Sequence, residues 1–472
     1  MALVSGEARW SYRELAGRVL RLGHVLRGLG VRRGDRVGHL GPNHPSFLEA
    51  LFACGKLGAI LTPINHRLEG SVIDGIIDDA APRVVLVDRS LADRVLPAVV
   101  ECTVVFGGSG SDYEGRLALA DEAPIEESIA PDDPCMLPFT SGTTGKPKGI
   151  VLTHGNLSWN VFNVLSVADI VGDDVTLAIA PFFRTGGTGV NVLPVLWKGG
   201  TVVVPERVEP DEILRLIEAE RATVGFGNPD LLEALVRSPR WKDADLTSIR
   251  SFMIGGAPVP ERLVRTYLER GVTFLQGYGL SEAAPAVSLL DAESALRKVG
   301  SAGHPLLHIE VRIVRPDETQ CDVDEVGELW VRGPNVMAGY WNRPEATRRA
   351  IDDAGWLRTG DAVRRDEEGF LYVVGRVVDM YVVDGVAAHP GTAERVLLTR
   401  DDVSEACVIG RDDGVEALII PVAGASVSGT ELIEFCRAHL PARECPTRVR
   451  FVESLPRNPG GKIMRHLLRD RS

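Results

Sequence analysis

Thr140-Ser-Gly-Thr-Thr-Gly-Lys-Pro-Lys-Gly149 packs three glycines, four hydroxyl side chains and two lysines into ten positions. Gly142 and Gly145 let backbone amides turn inward. Thr140, Ser141, Thr143 and Thr144 offer hydroxyl donors, and Lys146 adds charge. Together they make a loop able to wrap a polyphosphate. The spacing is not that of a Walker A loop, because Pro147 follows Lys146 where a helix would have to begin. A Gly/Ser/Thr run by itself is most often a flexible surface loop. Here the Pro-Lys-Gly ending and the apolar strand Ile150–Leu152 behind it turn the reading toward a phosphate site.

Around this loop the chain alternates strands and helices. Ser11 with Glu14 three residues on has capping-box spacing, and Leu15, Val19, Leu22, Leu26 and Leu29 give the helix that follows an apolar face ended by Gly30. Arg36–Leu40 reads as a strand, Pro45–Leu57 as a helix and Ala59–Thr62 as a strand. Val84–Val87, Val202–Val204 and Phe252–Ile254 continue the pattern, which implies α/β layers with largely parallel sheets. After about residue 325 the texture changes to short strands, Glu328–Arg332 and Phe370–Val374, between Gly- and Pro-rich turns. A compact α+β tail follows, with strands at Ala406–Ile409, Leu418–Val422 and Arg450–Val452 and a helix opening near Ser428 with Glu431 at capping-box spacing. The expected domains are residues 1–375 and 376–472. Residues 107–115, polar and rich in Gly and Ser, read as a mobile loop.

With 472 residues the chain exceeds one hydrophobic core. A net charge of −13 argues against nucleic-acid or anionic-membrane partners. Seven cysteines without CxxC or zinc spacing read as reduced, mostly buried thiols. No apolar run reaches a membrane span and no signal peptide opens the chain, so a cytoplasmic location is expected. Only seven of 52 basic residues are lysine. A lysine kept inside a motif therefore stands out, and Lys462 is the only one after Lys298.

Further glycine-flanked segments recur downstream: Gly255-Gly-Ala-Pro258, Gln276-Gly-Tyr-Gly-Leu-Ser-Glu282, Gly327-Glu-Leu-Trp-Val-Arg-Gly-Pro334, Gly339-Tyr-Trp, Gly355-Trp-Leu-Arg-Thr-Gly-Asp361, Gly375-Arg376 and Leu455-Pro-Arg-Asn-Pro-Gly-Gly-Lys462. With the phosphate loop, and in this order, they resemble the adenylate-forming superfamily of acyl-CoA synthetases, aryl-CoA ligases, luciferases and peptide-synthetase adenylation domains. The resemblance runs from about Trp10 to Arg469. Relatives usually carry an additional segment ahead of Trp10.

The resemblance implies a large N-terminal domain of layered α/β sheets with a small distorted β-barrel subdomain, and a small mobile α+β lid. It implies ATP and Mg²⁺, a carboxylic acid substrate, and coenzyme A or a carrier-protein phosphopantetheine as acceptor. Gly255, Gly256 and Ala257 would lie against adenine, and Gln276, Gly277, Tyr278, Gly279 and Ser281 would complete its slot with Tyr278 stacking. Ser281 stands where Thr is usual. Glu282 and Thr143 would hold Mg²⁺ on the phosphates. Asp361 would accept bonds from both ribose hydroxyls, and Arg376 would bind the same sugar at the hinge. Lys462 would face the substrate carboxylate and the α-phosphate. Taken singly, Tyr278 reads as a core aromatic and Glu282 and Lys462 as solvated charges; their spacing and glycine context favour the site.

Two segments depart from the family pattern. Pro181-Phe-Phe-Arg184 carries Arg where Pro-x-Phe-His is common. Arg184 either grips a carboxylate of the substrate, as a guanidinium fork does, or swings out and gates the pocket. The hinge loop from Gly375 to Glu394 has Val378 in place of a charged residue, Asp384 in place of glycine and Ala387 in place of Asn. Adenylation is thus fully equipped, and thioester formation is the step these changes touch. Acyl-CoA ligation is the expected activity. Loading of a carrier protein, a single half-reaction, and a non-catalytic nucleotide-binding protein are the alternatives.

Overall fold

The computed structural model describes residues 1–94, 102–108, 110–141, 147–257, 259–383, 386–411, 414–457 and 463–469. The chain divides into two compact units, Met1–Glu310 with Val331–Leu357, and Val311–Trp330 with Arg358–Ser472.

The first unit holds two sheets. One runs Gly339–Tyr340, Pro147–Thr153, Pro134–Met136, Ile60–Ile64, Arg36–Leu40, Val84–Asp88, Thr103–Phe106, with Phe139–Ser141 paired to Pro147–Thr153. Its pairs from Pro134–Met136 to Thr103–Phe106 are parallel. The other has nine strands. From Thr273–Gly279 through Ser251–Gly255, Val224–Gly227, Val175–Leu177 and Thr201–Val203 to Leu3–Ser5 it is parallel, and antiparallel strands close both edges. Parallel strands buried on both faces want continuous apolar runs, which Val84-Val-Leu-Val87 supplies.

Local chemistry sets the helix ends. Ser11 and Glu14 form the expected capping box on Tyr12–Gly28, whose Leu15, Val19, Leu22 and Leu26 are buried. His44 caps Pro45–Leu57, and Gly58 ends it in the left-handed conformation. Phe47, Leu48 and Leu51 of that helix join the same core.

The second unit carries a four-stranded sheet, Glu310–Val314, Gly327–Arg332, Leu357–Arg365, Leu371–Arg376. A turn at Val377–Asp379 and a hairpin of Tyr381–Val383 with Val386–Ala388 lead to the helix Pro390–Leu397. A three-stranded sheet of Val403–Arg411, Gly414–Pro421 and Arg448–Phe451 follows. The helix Gly429–His439 begins on the expected Ser428–Glu431 capping box. Leu397, Val408, Ile419, Leu432 and Cys436 are buried together.

The reading of residues 107–115 as a loop needs correction, because Asp112–Leu119 is a helix. Ser111 accepts from the Glu114 amide, and Tyr113 and Leu117 are buried beneath it. Capping and two apolar anchors outweigh the polar composition. All seven cysteines are free, and Cys102 alone of them is not buried. No helix among the described residues is long and apolar enough to cross a membrane.

Two histidines in the first unit bracket Ser46: His39 Nε2 lies 3.0 Å and His44 Nδ1 2.9 Å from its hydroxyl. Burial holds the pKa of His39 down at about 3 and of His44 at about 4, against 6.5 ordinarily. Between about pH 4 and 6.5 the unfolded chain therefore binds more protons than the folded one. Stability is complete above 6.5 and falls as pH drops through this window, by at most about 1.4 kcal/mol per pH unit for each histidine. Urea titrations from pH 7.5 to 4.5 should show a falling midpoint. His44→Asn keeps a capping acceptor and should flatten the slope by one proton's share; an unchanged slope would contradict the assignment.

Candidate active site

Ligands of open α/β sheets sit at the carboxyl ends of the parallel strands. In the nine-stranded sheet two such ends lie side by side, with Gly255 in register with Gly277. A Cβ on Gly255 would stand 2.9 Å from the Gly277 carbonyl oxygen, so only glycine allows the two backbones to approach so closely. Gly256 and an exposed Ala257 continue past the first strand end; Pro258 lies outside the described residues. Gln276, Tyr278 and Gly279 finish the second strand. The segments expected to flank a flat ring thus form an edge of two apposed backbones with Tyr278 beside it.

The chain then turns through Ser281–Ala283. Glu282 Oε1 accepts a hydrogen bond from the Tyr340 hydroxyl at 3.0 Å, and the Glu282 carbonyl accepts from the Met337 amide at 2.8 Å. Lys148 Nζ stands 4.9 Å from the centre of the Tyr340 ring. Thr185 Oγ1 donates to Ser281 Oγ at 3.2 Å. Two buried amides lock the turn. Asn335 Nδ2 donates to the Ala283 and Ala286 carbonyls, and Asn160 accepts from the Ala286 amide while donating to the Gly189 carbonyl.

Of the expected phosphate loop the structure describes the two flanking strands, in which Thr140 pairs Lys148 and Ser141 pairs Pro147. Gly142, Thr143, Thr144, Gly145 and Lys146 lie outside the described residues. The stem nevertheless brings Lys148 to the Glu282–Tyr340 pair, a role the sequence reading did not give it. Tyr340, Asn335 and Asn160 were likewise missed. Gly339-Tyr-Trp carried a signal, but nothing local tied Tyr340 to a carboxylate 58 residues away.

Arg184 precedes the short helix Thr185–Gly189 and is exposed. Among the described residues no carboxylate pairs with it. The protein packed around it, and then the like charge of Arg67, lower its pKa from the ordinary value. Arg67 stands 5.8 Å from the Phe183 ring centre. Phe226 separates this segment from the glycine edge: its ring would meet a Cβ on Gly186 at 3.3 Å and one on Gly255 at 3.9 Å.

The second unit gathers a different set. Asp361 lies opposite Arg376 in antiparallel register, and Arg376 Nη1 donates to Asp361 Oδ1 at 2.8 Å. Asp361 is buried. Its turn is fixed by Thr359, whose hydroxyl donates to the Leu329 carbonyl at 2.7 Å and accepts from the Asp361 amide at 3.0 Å. Glu328 accepts from the Gly360 amide at 3.0 Å. Lys462 lies outside the described residues. Three positions on, Arg465 donates to both Glu394 carboxylate oxygens at 2.6 Å and to Asp379 Oδ2 at 3.4 Å. Val378 is exposed in the turn Val377–Asp379, Asp384 lies outside the described residues, and Ala387 is in the Val386–Ala388 strand.

Comparison with known proteins gives the class. Residues 1–341 match the AMP-binding enzyme family, and residues 392–462 match the AMP-binding enzyme C-terminal domain. A feruloyl-CoA synthase of an Amycolatopsis species is 40% identical over all of this chain and 95% of its own. An indoleacetate–CoA ligase of Aromatoleum aromaticum is 36% identical over 96% of this chain and 91% of its own. ATP-bound MatB from Rhodopseudomonas palustris superposes with a TM-score of 0.91 at 29% identity, over 99% of this chain and 95% of its own. The chain belongs to the AMP-binding enzyme family, in its acyl- and aryl-CoA ligase branch. It is an acid–thiol ligase, activating a carboxylic acid with ATP through an acyl-adenylate and passing the acyl group to coenzyme A.

Tyr340→Phe removes one hydrogen bond from Glu282, worth about 1 kcal/mol, so ATP-dependent turnover should fall about fivefold. Initial rates against MgATP concentration check this; an unchanged rate would show that the tyrosine does not hold the carboxylate.

Proposed function

We propose that the glycine edge, the phosphate loop and the Asp361–Arg376 pair bind one ATP, and that Lys462 serves the chemistry on it. The observation that most supports this is the pairing of Gly255 with Gly277 beside Tyr278 and the tethered Glu282. Tyr278 and the backbones of Gly255, Gly256, Ala257, Gln276, Gly277 and Gly279 would hold adenine, with Ser281 beside them. Thr140, Ser141, Gly142, Thr143, Thr144, Gly145 and Lys146 would hold the phosphates, and Asp361 and Arg376 the ribose.

Magnesium suits this donor set. Among the described residues no cluster of three His, Cys, Asp or Glu could cage a metal alone, whereas Mg²⁺ on a nucleotide needs only one or two protein oxygens besides phosphates. Glu282 and Thr143 would supply them, and the ion would offset phosphate charge.

In the first step a carboxylate oxygen attacks the α-phosphorus, the bond to the bridging oxygen breaks, and pyrophosphate leaves. Lys462 offsets the charge that develops. A unit charge about 4 Å away at an effective dielectric of about 20 contributes about 4 kcal/mol. In the second step the thiol sulfur attacks the acyl carbon, the carbon–oxygen bond to AMP breaks, and the thiol proton passes to water. Residues 376–472 would act as a lid on a body of residues 1–375, turning between the steps about the hinge after Arg376.

For the acid, the two relatives named for aromatic substrates and the Phe226 ring beside Gly186 favour an aryl-bearing carboxylic acid. Labelled pyrophosphate should exchange into ATP with such an acid present, and added coenzyme A should yield a thioester and AMP in equal amounts. Exchange without thioester would favour a carrier-protein acceptor or a single half-reaction, while nucleotide binding without exchange would overturn the assignment. Lys462→Ala should slow exchange on the order of a hundredfold or more, yet leave thioester formation from added acyl-adenylate intact.

Arg184 would pair with a carboxylate of the substrate. The absence of a carboxylate partner for it among the described residues supports this. Arg184→His should shift preference from di- to monocarboxylic aryl acids, read as a ratio of kcat/KM; an unchanged ratio removes the charge-pairing role.

A further inference from the structure

His389 is buried at 2% exposure, and both its ring nitrogens are engaged. Nδ1 accepts from the Gly391 amide at 3.0 Å, capping the helix Pro390–Leu397. An acceptor Nδ1 leaves the proton on Nε2, which donates to the Arg376 carbonyl at 3.0 Å. The ring lies directly over Gly375, where a Cβ would stand 1.9 Å from Cε1. Gly375 has φ of 151°, a conformation that other residues rarely adopt. The imidazole thus clamps the last two residues of the Leu371–Arg376 strand. Those residues are in register with Ala362 and Asp361. The clamp ends on the backbone of the residue whose guanidinium grips Asp361.

We propose that His389 is a positioning residue for the ligase reaction, holding the backbone of Arg376 so that its side chain stays opposite Asp361 and the pair meets the ribose diol in one geometry. The inference rests on the ribose assignment of that pair. His389 touches neither reactant; it works through the Arg376 carbonyl. The same ring fastens the helix that carries Glu394, and Glu394 holds Arg465, three residues beyond Lys462. One side chain thereby fastens the strand of Arg376 to the helix whose Glu394 holds Arg465.

The two ring functions can be separated. His389→Asn keeps an acceptor near the Nδ1 position, and with it the helix cap, but is too short to reach the Arg376 carbonyl. His389→Gln places an amide donor near the Nε2 position. In the full chain, measured by acid-dependent ATP–pyrophosphate exchange, His389→Asn should raise KM for ATP about fivefold to tenfold, as loss of one buried hydrogen bond allows. It should also narrow the preference for ATP over 2′-deoxy-ATP, while KM for the acid and the urea midpoint stay near wild type. His389→Gln should restore both the ATP KM and the 2′-hydroxyl preference. Equal effects of the two variants, a defect confined to Gln, or an unchanged ATP to deoxy-ATP ratio in Asn would overturn the proposal. Wild-type protein that binds ATP without exchange would instead overturn the ligase reading on which it stands.

Discussion

The contact between the backbones of Gly255 and Gly277 constrains the rest of the proposed nucleotide site. The neighbouring parallel strands approach so closely there because Gly255 carries no side chain to strike the Gly277 carbonyl. Past that edge the strand continues through Tyr278, paired with Ser288, to Gly279, and the turn bearing Ser281 and Glu282 follows. Asn335 and Asn160 hold the turn through four hydrogen bonds to its backbone and that of its neighbours, so Glu282 is presented by a rigid loop. In the proposed role on the nucleotide, a carboxylate held in this way costs little to order.

Charge is distributed with the same economy. Glu282 stands with Tyr340 and Lys148 in the first unit, and Asp361 with Arg376 in the second. Each carboxylate has a donor that fixes its orientation. Arg465 shows the same device, since its Nη2 donates to both carboxylate oxygens of Glu394. The fold supplies hydrogen bonds to the groups that must be aimed.

Much of this was legible in the sequence because it is local. The capping boxes at Ser11–Glu14 and Ser428–Glu431, the glycine past the first helix and the strand Arg36–Leu40 follow from neighbours within a few residues. Ordered glycine motifs likewise carry the family and the class of reaction. Partners distant in the chain were not legible. Tyr340 reaches Glu282, Asn335 reaches Ala283 and Asn156 reaches the Pro334 and Val336 carbonyls across long sequence separations that no periodicity encodes. His389 gave no signal in the sequence, because its bond to the Arg376 carbonyl spans thirteen residues. Residues 107–115 misled by composition, since one serine cap and two buried side chains suffice to order the helix.

The chemistry at the centre of this account is attack by a carboxylate oxygen on the α-phosphorus, and its fate can be followed by isotope. With an aryl acid labelled with oxygen-18 in both carboxylate oxygens, complete turnover in the presence of coenzyme A should leave one labelled oxygen in each AMP formed, read by mass spectrometry. Unlabelled AMP, or label recovered in inorganic phosphate with ADP as the nucleotide product, would contradict it.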